Sequence, residues 1–180
     1  GVHEVRMDEW GLDAVVSGEG ERVFPEIVAR ALEGRPLEGI PGVATPAGAA
    51  ALLEAGRFPN AEPVARMDDL PLPDDSDYFE QFAASRFAGR WTPGLFVETA
   101  RGCSWGEKSH CTFCGLNGTS MAFRSKSPGR ALAELRGVTS RHPDSDLQVV
   151  DNILDTRYFE SVLPELAKSP PRSPVFWETK

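Results

Sequence analysis

The chain has 180 residues, 41% of them hydrophobic and 26% charged, and carries a formal net charge of −8. That size bounds it to one domain or two small ones, and no apolar run approaches the roughly 18 residues that a membrane-spanning helix needs. The acidic balance argues against a general nucleic-acid binder, which needs a basic surface.

Residues 1–39 read as strand, glycine loop and helix. Asp13 to Ser17 is a short β-rich run, and Gly18-Glu-Gly20 is a turn. Phe24, Ile27, Val28, Ala31 and Leu32 then fall on one helical face. Pro25 suits the first turn of that helix and Gly34 its end. This is half of a βαβ-type unit. Residues 46–90 read as a linker, because prolines interrupt them repeatedly. Within them Ala47 to Ala55 predicts a short helix, and Asp74 to Asp77 caps another through Tyr78, Phe79, Phe82 and Phe87, aromatics expected to pack in a core.

Residues 91–180 alternate strand and helix, which predicts parallel βα units. Leu95–Thr99, Leu147–Val150 and Val175–Thr179 are the predicted strands. One helix starts at Ser127-Pro128, with an N-cap and a first-turn proline. A second opens at Asp155 or Thr156 and carries Phe159, Val162, Leu163 and Leu166 on one face, with Pro164 kinking or restarting it. Chemistry in such folds sits at the C-terminal ends of the strands. The cysteine loop, Asp151-Asn152 and Glu178 all belong to that edge. Gly1 reads as mid-protein sequence and Lys180 follows a strand-like run at once, so the chain is expected to be a piece of a longer protein.

All three cysteines fall within the twelve residues from Cys103 to Cys114, spaced C-x(7)-C-x(2)-C, with Phe113 before the last. An odd number of thiols does not make a disulfide framework, and a reducing cytoplasmic setting fits them better. Three thiolates hold three irons of a 4Fe–4S cluster and leave the fourth open. Two other readings stand beside this one. The thiols are unliganded, or Cys103, His110, Cys111 and Cys114 form a structural zinc site. Adjacent ligands at positions 110 and 111 are awkward at one tetrahedral metal, and only one ligand hairpin is present. Arg124 and Lys126, beyond the loop, are expected to be solvated charges ahead of a helix. Contact with a carboxylate or a substrate peptide is their other reading.

The strand followed by this loop, with three cysteines and Phe113, resembles the radical SAM superfamily, whose usual spacing is C-x(3)-C-x(2)-C. The run from Arg101 to Asn117, Phe123-Arg-Ser-Lys-Ser-Pro128 and Val150-Asp-Asn-Ile-Leu-Asp155 are similar to the radical SAM proteins that mature ribosomally made peptides. That group tolerates the longer first gap and is associated with cobalamin-dependent C-methylation. The resemblance implies an α/β fold in which residues 1–45 end a Rossmann-like cobalamin-binding domain. Residues 91–180 then form the first βα repeats of a partial TIM-like barrel. It implies that Cys103, Cys111 and Cys114 ligate a 4Fe–4S cluster whose open iron binds S-adenosylmethionine, which is then cleaved reductively.

Further roles follow from the same resemblance. Phe113 packs near the adenine, or simply within its loop. Asp151, Asn152 and Glu178 contact the methionyl amine or the ribose; their ordinary alternatives are turn capping and a strand-end charge. Gly18, Gly20 and Glu21, in a Gly-Glu-Gly-Glu segment, line the nucleotide tail of cobalamin, while His3 stands alone and is not assigned as a lower ligand. The implied partners are a ribosomally made precursor peptide and a reductase or flavodoxin-type electron donor. A radical SAM enzyme of another outcome, such as epimerisation or thioether formation without cobalamin, is the nearest alternative.

Overall fold

The structure, a computed structural model, describes residues 7–56, 60–115 and 121–179. His3, and Leu116 and Asn117 of the cysteine motif, lie outside them. The chain divides between Ala65 and Arg66 into two compact units.

The first unit contains α1 (Met7–Trp10), β1 (Val15–Val16), α2 (Phe24–Leu32), β2 (Val43–Ala44) and α3 (Pro46–Glu54). Pro25 does sit in the first turn of α2, where its missing N–H leaves no helical bond unmade. β2 runs antiparallel to β1, so these two strands form a two-residue ribbon rather than parallel neighbours of a Rossmann sheet. Val23, Ile40 and Ala61 are the buried centre, with Val16, Ile27 and Val43 packed on them. The predicted helical face is only partly used. Ile27 turns inward, whereas Phe24, Val28 and Leu32, at i, i+4 and i+8, form an exposed stripe.

The second unit is built on a parallel three-stranded sheet in the order β3 (Gly94–Val97), β6 (Asp146–Val149), β7 (Val175–Phe176). Between β3 and β6 the chain makes the cysteine loop, flanked by the antiparallel pair β4 (Ala100–Arg101) and β5 (Arg124–Ser125), and then α5 (Pro128–Arg141). A 3₁₀ turn (Thr156–Phe159) and α6 (Val162–Lys168) connect β6 to β7. The single helix expected from position 155 is thus two pieces. Pro164 falls in the first turn of α6, a position where it can begin a helix but not continue one.

Period-two alternation sets the core. Leu95, Val97, Leu147 and Val149 point to one face and are buried against Ala131, Leu135 and Val138 of α5 and Leu154, Tyr158 and Val162 beyond β6. The opposite face carries Phe96, Gln148 and Phe176 side by side in register, all exposed. α5 starts as predicted. The Ser127 hydroxyl accepts from the Arg130 N–H, and Pro128 opens the first turn.

Much of the proline-rich stretch after residue 65 is packed rather than free. Asp68 accepts from the Ser127 N–H at 2.6 Å, Arg130 donates to the Leu70 carbonyl at 2.6 Å, and Phe79 of α4 (Ser76–Ala84) stacks on His142 at 3.7 Å. Phe87 lies beyond the end of α4 and is exposed, as is Tyr78, so these two are not core residues.

Leu147 is 1% exposed on the central strand of the sheet, so its truncation leaves a cavity within the core. Leu147→Ala is expected to cost about 2–5 kcal/mol, measured as the fall in unfolding free energy from urea titration.

Candidate active site

The cysteine loop leaves the sheet at the C-terminal end of β3, the edge at which parallel α/β folds place their chemistry. Its two ends are held at one point, where the Lys126 N–H donates to the Thr99 carbonyl at 2.8 Å. Within the loop the chain winds tightly. Glu107 N–H donates to the Cys103 carbonyl, Lys108 and Ser109 donate to the Trp105 carbonyl, and Gly106 N–H donates to Cys103 Sγ at 3.3 Å. The Cys114 N–H closes a turn on the Cys111 carbonyl at 3.1 Å. Glu107 reaches the returning chain by accepting from the Phe123 N–H at 2.9 Å.

All three cysteines are free thiols of intermediate exposure. Their donor chemistry fits a three-thiolate cluster, with no disulfide to break and no second ligand hairpin. Among the described residues, however, no three Cys, His, Asp or Glu side chains are gathered closely enough to hold a metal ion. The thiols share a loop without converging, and the same holds for the zinc set that adds His110, which is exposed. Phe113 is 91% exposed and packs on neither sheet nor helix.

The segment after β6 grips both ends of this loop. Asp151, 2% exposed, accepts from the Thr99 N–H at 2.7 Å, the Ala100 N–H at 2.8 Å, the Thr99 hydroxyl, and Trp177 Nε1 at 3.1 Å. Asn152 Nδ2 donates to the Gly102 carbonyl at 3.4 Å, one residue before Cys103. At the other end Asp155 accepts from the Ser125 hydroxyl at 2.5 Å, and the Tyr158 hydroxyl donates to the Lys126 carbonyl at 2.7 Å. Lys126 is not the solvated charge expected. It is 3% exposed, with Nζ 2.6 Å from the buried carboxylate of Glu134 on α5. A buried ion pair adds little net stability but is costly to break on one side, so it fixes where the loop rejoins the helix.

The carboxylates of this segment titrate in opposite directions. Burial pushes the Asp151 carboxyl above the usual range, against the hydrogen bonds from Thr99, Ala100 and Trp177. Burial also opposes ionisation of Asp155, but hydrogen bonds from Arg157 and Ser125 outweigh it and hold that carboxyl low. Burial raises the Tyr158 hydroxyl, which stays neutral and a donor.

Asn152 and Glu178 line a cavity of about 270 Å³ at the sheet edge, with Gln148, Val150, Asp151 and Phe176. Glu178 also anchors the edge through its carbonyl, which accepts from the Leu154 N–H at 2.9 Å. In the first unit, Gly18 has φ +88° and faces the Ala61 backbone and the Asn60 side chain, so a side chain there would be strained and crowded. Gly20 has open space around it, and Glu21 is exposed. The Gly18 loop is held by Ser17 N–H donating to Gly42 and Ala61 N–H donating to Ser17.

Sequence reasoning missed Gly102. It has φ +78°, and an added Cβ would lie 2.3 Å from the Ala122 carbonyl oxygen. Only a residue without a side chain lets the chain entering Cys103 pass the chain leaving the loop. Its position directly before the first cysteine was the available signal.

The fold is similar to part of that of solved radical S-adenosylmethionine methyltransferases. Its solved neighbours include TsrM of Kitasatospora setae in a complex with tryptophan substrate and the analogue aza-SAM. The TM-score is 0.55 at 21% identity, over 90% of this chain and 30% of that one. A second TsrM structure, with cobalamin and a [4Fe-4S] cluster bound, superposes with a TM-score of 0.52 at 18% identity, over 90% and 31%. In sequence the chain is 28% identical over 148 residues to an uncharacterized methyltransferase of Pyrococcus horikoshii, covering 78% of this chain and 28% of that protein. The chain thus spans about three tenths of the length of these relatives. No family model matches it.

Two outcomes are expected from this geometry. Gly102→Ala forces the loop's base apart and is expected to destabilise the second unit by more than 1 kcal/mol, read by thermal unfolding. For Asp155, a depressed folded pKa means stability present above its unfolded value near 3.8 and lost as pH falls through the folded one. Asp155→Asn is expected to cost about 1–2 kcal/mol at pH 7, given that Arg157 is largely solvated. The same variant should show a shallower loss of stability below about pH 4, read from unfolding free energies across pH.

Proposed function

We propose that this chain is part of a radical S-adenosylmethionine enzyme that methylates carbon with the help of cobalamin. The observation that carries this reading is a loop bearing three free thiols, rooted at the C-terminal edge of a parallel sheet. The likeness in fold to TsrM supports it. Cys103, Cys111 and Cys114 would be the cluster ligands, and the loop would have to draw them together to serve. Bound there, the cluster supplies the electron that cleaves S-adenosylmethionine, and cobalamin carries the methyl group.

The chain's own residues bind and orient. Asn152 and Glu178, lining the sheet-edge cavity, offer a carboxamide and a carboxylate to the methionyl amine or ribose hydroxyls. Phe113, exposed on the cysteine loop, offers a ring for the adenine. Gly18 and Gly20 let the backbone of the first unit approach the nucleotide tail of cobalamin, with Glu21 beside them. The acceptor is a ribosomally made precursor peptide, a reading supported by the motif resemblance, and a reductase or flavodoxin-type protein supplies electrons. A free amino acid is the second reading, favoured by the tryptophan bound in TsrM.

The test uses full-length protein, reconstituted anaerobically with iron and sulfide. Wild type is expected to show a 4Fe–4S EPR signal on dithionite reduction that shifts when S-adenosylmethionine is added. Cys103→Ala, Cys111→Ala and Cys114→Ala are each expected to lose the cluster and at least 100-fold of methyl transfer. Any variant retaining full iron and turnover removes that cysteine from the ligand set. Zinc at one per chain without iron would favour a structural zinc module, and retention of cobalamin separates the methylating reading from a cobalamin-independent one.

A further inference from the structure

We infer that Asp151 is a positioning residue for the cysteine loop, and that it does not contact S-adenosylmethionine. The inference rests on the reading of that loop as the cluster site and departs from the role that the resemblance implies for Asp151. A carboxylate offers about four acceptor directions, two on each oxygen. In this structure Oδ1 takes the Thr99 and Ala100 N–H groups, and Oδ2 takes the Thr99 hydroxyl and Trp177 Nε1. All four are spent on protein donors. Asp151 borders the sheet-edge cavity, but it is only 2% exposed and its acceptor directions are already taken, so it offers that cavity no open hydrogen-bonding position.

Those donors sit where they matter for the loop. Thr99 and Ala100 are the last residues before Arg101-Gly102-Cys103, and their two successive N–H groups converge on one oxygen. The peptide planes there are therefore oriented by a group 52 residues away in sequence. Asn152 adds the Gly102 carbonyl, so the Asp151-Asn152 pair holds the chain at 99, 100 and 102 in succession. The third strand joins through Trp177, whose ring lies 5.7 Å from that of Tyr158. Tyr158 in turn holds Lys126 at the loop's exit. One carboxylate thus ties the ends of three parallel strands to the backbone that delivers the first cysteine.

Asp151→Asn separates positioning from ligand contact. Its carbonyl oxygen can keep both backbone N–H groups, and its amide can donate to the Thr99 hydroxyl, so only the Trp177 bond is lost. Asp151→Ala leaves two buried N–H groups without an acceptor. Two readouts use full-length protein without a cluster: hydrogen exchange of the 98–103 backbone, and alkylation of Cys103 by iodoacetamide. The third is the dissociation constant for S-adenosylmethionine in the cluster-loaded protein.

Asp151→Asn is expected to stay within threefold of wild type in all three. Asp151→Ala, where folded by circular dichroism, is expected to exchange and alkylate at least tenfold faster, without faster exchange in α5. Should Asp151→Asn weaken S-adenosylmethionine at least tenfold while exchange stays as in wild type, Asp151 is a cofactor contact and the inference fails. It fails equally if Asp151→Asn itself loosens the 98–103 backbone tenfold, or if a folded Asp151→Ala leaves exchange and alkylation unchanged. If wild type takes up no cluster, the cluster reading falls, while the two cluster-free measurements still decide what Asp151 holds.

Discussion

A carboxylate buried in a protein interior is expensive unless donors surround it. The second unit spends four donors on Asp151, three of them N–H groups that can do nothing but donate. The cost of desolvation remains visible in the raised pKa. In return, the ends of β3, β6 and β7 are fixed relative to one another at the edge where the cysteine loop departs. The hydrophobic core beneath, from Leu95 to Val162, holds the strands to the helices but does not set the direction in which the chain leaves the sheet. Directional hydrogen bonds do that, and they come from the few residues after β6.

The loop's far end is secured by different chemistry. Lys126 and Glu134 form an ion pair hidden from water, and the neutral hydroxyl of Tyr158 holds the Lys126 carbonyl. Each half of such a pair is retained because the other would otherwise be a naked buried charge. The loop between is fastened mostly by its own turns, and its thiols remain apart. Under the proposed cluster reading, that frame would limit how far the three cysteines have to travel to meet.

The strands of the second unit were legible because each is a short apolar run stopped by turn residues, and the structure places them within one to three residues of the reading. The start of α5 was legible from Ser127-Pro128 for the same local reason. What could not be read locally was whatever depends on distant partners. Nothing around Lys126 announces that Glu134 will bury with it, and nothing around Thr99 announces Asp151. The 3₁₀ turn at Thr156–Phe159 escaped because the apolar spacing runs on through it into α6. In the first unit, periodicity identified the helix but not which side of the stripe would be covered. Phe24, Val28 and Leu32 satisfy a helical period while lying in solvent. The three cysteines stood out in composition alone, whereas their spatial separation belongs to backbone geometry that spacing does not encode.

The closure between Thr99 and Lys126 also bears on how such a loop can change over evolutionary time. With both stems pinned, the conformational entropy of closing the loop depends only logarithmically on its length. Four more residues in the first cysteine gap, relative to the three usual in the superfamily it resembles, lengthen the closed ring by about a sixth. That adds on the order of 0.1 kcal/mol to closure. As far as loop closure is concerned, the gap is thus nearly neutral ground for insertion.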